Sequence, residues 1–427
     1  VVGLVSSLAS ILALRSVGVA AIVSCGGARS IAGRMGLRRR LLIAEVAVTF
    51  VLVVTAALLS QTLWNLYHSK RGFEGDRILT AGVMPNMSGT IPELQDLTRT
   101  FFSDLTRQIG SLPGVDSAAA ASNVPLDHRK MVMTGVSLVG QPPSLSGARV
   151  ALVTPSYFAT MGTRLLAGRD FGREDSYGGE RVAIVNDALR RQIAPGQELV
   201  GARITYGRYP LTVIGIAEDT PDTSPRQPAR PFLYIPLDQS IGTGFVHGRL
   251  TILARTQGAD PATLVPALRQ AVWAFGSDIV IDDVATMNER VAASVRTERH
   301  SALLFGLLAG IALLVAVTGV YGVVAYSVVQ RTREIGLRIA LGARRWQVVG
   351  EIVRASAWPV AAGIAIGVCG AVVATRAIAS VLFETQAINP PIFAAAAGVL
   401  AVTALAAALI PARRAARIDP VTALRAE

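Results

Sequence analysis

Residues 301–330 read SALLFGLLAGIALLVAVTGVYGVVAYSVVQ, thirty positions without one Asp, Glu, Lys or Arg. About 20 apolar residues suffice to cross the hydrocarbon core of a bilayer as a helix, so this stretch reads as a membrane span. Working outward, three more stretches share its character. Residues 41–69 carry one charge, Glu45. Residues 355–375 carry none, and the apolar character runs on past Arg376 to Phe383. Residues 385–412 carry none and close at Pro411, read as a helix stop. Residues 1–14 are apolar too, but they would rise only about 21 Å as helix, and they read as the tail of a span. No cleavable-signal pattern stands out.

The remaining sequence is of another kind. Of the 427 residues 51% are apolar and 16% charged, against about 25% charged in soluble domains; this excludes a disordered chain and an ordinary soluble enzyme. The net charge of +12 is unevenly placed. Residues 69–300 hold 24 basic and 23 acidic side chains, whereas the rest of the chain holds 17 and 6. The excess therefore flanks the apolar stretches, as the positive-inside rule requires, and a nucleic-acid partner is excluded by that distribution. Arg29, Arg34, Arg38, Arg39 and Arg40 precede the first span. Arg331, Arg333, Arg338, Arg344, Arg345 and Arg354 lie between the second and third, and Arg413, Arg414, Arg417 and Arg425 follow the fourth. Four alternating spans put all three clusters on the cytoplasmic side and residues 69–300 on the opposite one.

That insert reads as α+β. β-Branched runs at 149–154, 181–186, 211–217, 231–236 and 249–255 are separated by turn-formers such as Ala194-Pro195-Gly196, the pattern of short strands. Helical spacing aligns Leu94, Leu97, Phe101, Leu105 and Ile109, and again Leu264, Leu268 and Val272. Residues 287–299 are polar and helix-compatible, suited to a continuous stalk into the second span. Enzyme signatures are missing from the sequence: no phosphate-cradling GxxxxGK[ST], no HExxH, no GxSxG and no CxxC. The four histidines are scattered, and Asp127-His128 reads as a polar turn. Cys25 and Cys369 supply neither a disulfide framework nor a zinc spacing. No catalytic residue, cofactor or metal site is expected.

Polar groups inside the spans are few. Glu45 lies within helical reach of Arg38 and Arg39, which favours pairing at the interface over a proton relay. Arg376 can snorkel to the bilayer surface. Gly363 and Gly367 have the Gly-xxx-Gly spacing of close helix packing.

The most informative stretch is cytoplasmic. Residues 330–349 read QRTREIGLRIALGARRWQVV; as a helix, Ile335, Ile339 and Gly342 share one stripe and Glu334, Arg338 and Arg345 another. Such a helix suits either an anionic lipid surface or a groove on a partner. The run Arg333–Arg345 resembles the signature loop of MacB/FtsX-type ABC transporter permeases. Residues 410–425, IPARRAARIDPVTALR, resemble that family's closing motif. Thr154-Pro155-Ser156-Tyr157-Phe158, Leu166-Ala167-Gly168-Arg169-Asp170-Phe171, Val185-Asn186 and Val213-Ile214-Gly215-Ile216 resemble its periplasmic core domain.

The resemblance covers residues 41–427 and implies an α-helical membrane protein of the bacterial inner membrane with a large α+β extracytoplasmic domain. The expected layout is a basic linker and the end of a preceding permease half over 1–40, a transmembrane helix over 41–68 and a periplasmic core with stalk over 69–300. Three transmembrane helices at about 301–329, 352–383 and 392–410 follow, with a coupling helix over 331–346. Ile11, Ala13 and Arg15 repeat the register of Ile410, Ala412 and Arg414, so the opening residues resemble a tandem-duplicated permease, a MacB-like subgroup known from acidobacteria. The resemblance further implies export or mechanotransmission driven by a separate cytoplasmic ABC ATPase. Arg333, Glu334, Gly336, Arg338, Leu341 and Gly342 are then the ATPase-coupling residues. A second permease half or a homodimer, a periplasmic or outer-membrane partner and the lipid bilayer complete the expected partners. A non-transporting FtsX-like scaffold and an orphan permease without an ATPase are the alternatives.

Overall fold

The computed structural model describes residues 31–69, 71–127, 133–140, 147–207, 209–239, 248–341, 344–377 and 388–415. The chain divides into two compact units, Leu66–Arg296 and a unit combining Val1–Asn65 with Thr297–Glu427. In chain order the helices are α1 (Ile31–His68), α2 (Ile91–Gly110), α3 (Tyr157–Met161), α4 (Asp187–Ile193) and α5 (Val265–Trp273). Then come α6 (Met287–Ser294), α7 (Arg296–Gln330), α8 (Thr332–Ala340), α9 (Arg345–Ala377) and α10 (Pro390–Ala415).

Four of these, α1, α7, α9 and α10, are long and apolar enough to cross a membrane. On α1 the residues Leu42, Val46, Phe50, Val54 and Leu58 are buried at strict four-residue intervals, one stripe of a helix. They pack with Val320, Val324 and Val328 of α7, Val360 of α9 and Leu400 of α10. The Gly-xxx-Gly spacing serves α1 directly. A Cβ on Gly363 would stand 2.7 Å from the Val46 Cβ, and one on Gly367 2.7 Å from the Phe50 Cβ. Leu303, Leu304, Leu307, Ile311 and Leu314 of α7 are exposed, an apolar face suited to lipid.

The boundaries differ from the sequence reading in physical ways. α1 begins ten residues before the span, because Arg38, Arg39 and Arg40 are good helix formers and continue it. Pro411 does not end α10, which runs to Ala415; in an apolar helix bundle the carbonyl a proline frees is tolerated. The helix over 352–383 starts earlier, at Arg345, and its last six expected residues lie outside the described ones. No continuous stalk forms: α6 stops at Val295 (φ −110°, ψ 14°), whose side chain is buried, before α7 begins.

The other unit is built on one twelve-stranded sheet. Its strands are β1 (Ile78–Met84), β2 (Val115–Ala121), β3 (Met133–Thr134), β4 (Val136–Leu138), β5 (Ala148–Val153) and β6 (Leu165–Gly168). They continue as β7 (Val182–Asn186), β8 (Arg203–Tyr206), β9 (Tyr209–Ala217), β10 (Phe232–Pro236), β11 (Leu250–Thr256) and β12 (Val280–Thr286). The order is β12-β1-β11-β2-β5-β10-β7-β9-β8-β4, with β3 beside β5 and β6 beside β9. Among the described strands β5–β10 and β7–β9 are parallel and the other pairs antiparallel. One face is covered by α2 and α5 through Phe102, Leu105, Ile109, Leu268 and Val272. The other carries α3 and α6 through Tyr157, Phe158, Met161, Met287 and Val291. All five runs read as strands are strands, to within two residues.

The stretches that resemble a periplasmic core have identifiable structural work. β2 and β5 share one ladder pair, Ala121 with Val153, flanked by main-chain bonds from the Ser122 N–H to the Leu152 carbonyl and from the Thr154 N–H to the Ala120 carbonyl, 2.9 Å each, and side chains reinforce the joint. Thr154 Oγ1 accepts from the Ala120 N–H at 2.7 Å, Ser122 Oγ accepts from the Leu152 N–H at 2.9 Å, and Asn123 Nδ2 donates to the Val150 carbonyl at 2.8 Å. Ser156 takes a left-handed conformation (φ 68°) that turns Tyr157 and Phe158 into an aromatic cluster with Tyr234. Asn186 caps α4 by accepting from the Leu189 N–H, accepts from the Phe232 N–H at 2.8 Å, and donates to Asp219 Oδ1 at 2.7 Å and the Arg230 carbonyl at 2.8 Å.

In the 168–175 loop Arg169 grips Asp175 with two hydrogen bonds of 2.7 and 2.9 Å, and the Gly172 N–H adds a third of 2.8 Å. Burial pushes the Asp175 carboxyl up, but these donors outweigh it and hold the group below the usual aspartate value. An acid held low in the fold contributes stability above its unfolded value and loses it as pH falls through the folded one. Hydrogen-exchange protection of the loop, corrected for intrinsic rates, should therefore drop below about pH 4. Asp170, pushed up by burial, acts in the opposite sense and is kept in the comparison protein Asp175→Asn. That variant should be less protected at neutral pH and lack the acid drop; identical pH profiles for the two proteins would refute the assignment.

Candidate coupling site

The nine-residue α8 is too short to be stable by itself, so its neighbours must hold it. Ile335, only 6% exposed, is its apolar anchor and packs with Leu42 of α1, Val324 and Val328 of α7 and Val348 of α9. Arg338 is its polar one. The guanidinium bridges Glu334 one turn earlier, at 2.7 Å, and Glu351 on α9, at 2.6 Å. Glu334 in the first turn and Arg338 in the last also oppose the helix dipole favourably. Among the described side chains at this elbow, Leu337, Leu341 (80%) and Trp346 are left exposed.

Beside α8 lies a cavity of about 180 Å³ between α1, α7, α8 and α9. Its walls are mostly apolar, with Ser327 and Ser356 among them. Arg38, Arg39, Arg331, Arg338, Glu334 and Glu351 stand at its rim, and the Arg38 guanidinium sits over the Tyr326 ring at 4.1 Å.

The residues expected to couple are thus distributed unevenly. Glu334 and Arg338 are brought together, and Leu341 follows α8 as a bare apolar tip. Arg333 and Gly336 lie on the α8 backbone. Gly342 lies outside the described residues, as do His128 and His247. The expected helix over 331–346 is in fact two: α8 ends at Ala340 and Arg345 opens α9. Sequence reading missed Glu351 and the anchor role of Ile335. An (i, i+4) pair is visible in a sequence, whereas a partner thirteen residues on depends on how the chain folds back.

Glu45 does not pair with Arg38 or Arg39. Its carboxylate lies against Gly319 of α7, where a Cβ would come within 2.4 Å of Oε2, and its buried Oε1 has no hydrogen-bond partner among the described residues. The helical reach was real, but Arg38 is turned onto Tyr326 instead.

Four apolar helices, an α+β domain placed between the first and second in the chain, and a short clamped helix between the second and third define a permease-type subunit. The MacB-like periplasmic core domain model matches residues 41–271 and the FtsX-like permease C-terminal model matches residues 306–420. The chain belongs to the MacB/FtsX-type ABC permease family, and it is a multi-pass inner-membrane protein with a periplasmic domain.

It is 28% identical over 296 residues to the macrolide export ATP-binding/permease protein MacB of Chromobacterium violaceum, covering 66% of this chain and 44% of that protein. It is 30% identical over 270 residues to the pyoverdine export ATP-binding/permease protein PvdT of Pseudomonas putida, covering 61% and 40%. The chain thus spans less than half the length of these relatives. Among solved structures, the periplasmic region of MacB from Actinobacillus actinomycetemcomitans aligns with 52% of this chain and 94% of its own, at 14% identity and a TM-score of 0.36.

Proposed function

We propose that this chain is the permease subunit of an export or mechanotransmission system, driven by a separate cytoplasmic ABC ATPase that seats on α8. The observation that carries this reading is the construction of α8. One buried isoleucine and one arginine clamp hold it to the bundle, while Leu337, Leu341 and Trp346 remain exposed on the cytoplasmic side. A short helix clamped on one side, with Leu337 exposed on it and Leu341 and Trp346 exposed just beyond it, suits a partner's groove. Both relatives above carry ATP-binding and export in their names, which supports the same reading. In it, motion of α8 passes through α7 and α9 to the periplasmic domain, and the exported cargo is a peptide, antibiotic or lipoprotein-like compound taken from the periplasmic side. Four spans form half of such a machine, so a second permease half or a second copy pairs with this one.

The test is Glu334→Lys in the full chain. It removes one exposed ion pair worth at most about 1 kcal/mol and leaves Arg338 its bond to Glu351, so the permease should fold and insert normally. Association with the cognate ATPase and the stimulation of its hydrolysis should fall about tenfold or more, the scale of losing about 1.4 kcal/mol at an interface. If α8 rests only on lipid, the added cation should instead strengthen membrane contact. Wild-type association and stimulation in Glu334→Lys would remove α8 from the coupling role.

A further inference from the structure

We propose that the cavity beside α8 is a binding site for one anionic phospholipid of the cytoplasmic leaflet. Four arginines and two glutamates stand at its rim. Both glutamates are engaged by one guanidinium, that of Arg338. Arg38 has only the Tyr326 ring, and among the described residues no carboxylate lies within ion-pair distance of Arg38, Arg39 or Arg331. The rim therefore carries two uncompensated positive charges.

Below that rim the cavity wall is hydrocarbon, supplied by Val320, Val323 and Val324 of α7. α1 delivers its C-terminal end to the periplasmic domain, so its arginine-bearing start, and this rim with it, stand at the cytoplasmic surface. Cationic above and apolar below is the profile of an anionic lipid, with phosphate at the arginines and acyl chains along the valines. Basic pockets between membrane helices on this side recognise such headgroups. An acidic protein segment would satisfy the arginines but not the valine wall. At about 180 Å³ the cavity takes the headgroup and glycerol, leaving the chains to run along α7. The site is independent of the ATPase reading, since nothing in it requires α8 to be docked.

The experiment uses the full chain in nanodiscs of equimolar phosphatidylglycerol and phosphatidylcholine, with retained lipid read by native mass spectrometry and no ATPase present. The wild type should retain phosphatidylglycerol over phosphatidylcholine by about tenfold. Arg39→Gln with Arg331→Gln should abolish that preference, whereas Arg39→Lys with Arg331→Lys should keep most of it. Val323→Trp fills the cavity without touching a charge and should also expel the lipid, which keeps the test decisive if the glutamine protein folds poorly. Equal retention of the two lipids by the wild type would overturn the proposal, as would a preference that survives Val323→Trp. A soluble polyglutamate peptide displacing the lipid from the wild type would reassign the surface to a protein partner.

Discussion

Gly367→Leu is expected to prevent the membrane bundle from assembling. Even a Cβ at this position would stand 2.7 Å from the Phe50 Cβ and 3.0 Å from the Ala47 carbonyl oxygen, and leucine adds three carbons beyond it. Phe50 is fully buried and meets Phe393 edge-on at 6.1 Å, so it has nowhere to withdraw. α1 would have to leave α9, and in lipid close packing is much of what holds helices together. Overpacking by single methylenes costs about 1–3 kcal/mol in tight cores; a whole leucine side chain should exceed the upper figure. The monodisperse fraction on detergent size-exclusion chromatography should fall by roughly two orders of magnitude, the equivalent of about 3 kcal/mol. Gly398→Leu is the matched control, because a Cβ there meets nothing within 4 Å. Equal behaviour of the two proteins would show that α1 and α9 do not pack through Gly367.

Asn186→Ala should be the most damaging single polar change in the periplasmic domain. The side chain is 1% exposed, caps α4 and joins β7, β10 and the Asp219 turn through four hydrogen bonds. Loss of an N-cap costs about 1 kcal/mol, and stranding the buried Phe232 N–H adds about 1–3 kcal/mol. A total near 3 kcal/mol predicts a fall of about 10 °C in melting temperature for a domain of this size, followed by intrinsic fluorescence of the purified chain. Asn186→Asp restores the acceptors but sets a carboxylate against Asp219, so it should not rescue. A melting temperature within about one degree of wild type, where ordinary surface changes fall, would remove Asn186 from its place at the centre of this junction.

The membrane architecture was legible in the sequence because length and absence of charge alone specify a span. The insert's β-branched strands were legible for a similar reason. β2 was not. Its sequence, VDSAAAA, favours helix locally, and it becomes a strand through its pairing along β11, with Ala119, Ala120 and Ala121 buried. β12 carries adjacent aspartates that a local reading assigns to a turn. At the candidate site the Glu334–Arg338 pair follows from helical spacing. The Glu351 clamp, the Arg38–Tyr326 contact and the solitude of Glu45 do not, since each depends on which helices become neighbours.

The position of β12 next to β1 has a mechanical consequence. The chain leaves α1 to form β1 and returns through β12 and α6 toward α7, so both tethers of the periplasmic domain meet in one antiparallel ribbon. Leu79 of β1 pairs with Thr286 of β12, so the two tethered ends lie side by side, and a force that parts them loads the ribbon's hydrogen bonds one after another from that end. Farther along the sheet, between β2 and β5, the hydroxyls of Ser122 and Thr154 add to main-chain bonds that the same two residues make with Leu152 and Ala120. The domain is therefore fastened to α1 and α7 through one end of a single ribbon, and whatever parts those two tethers acts on that seam first.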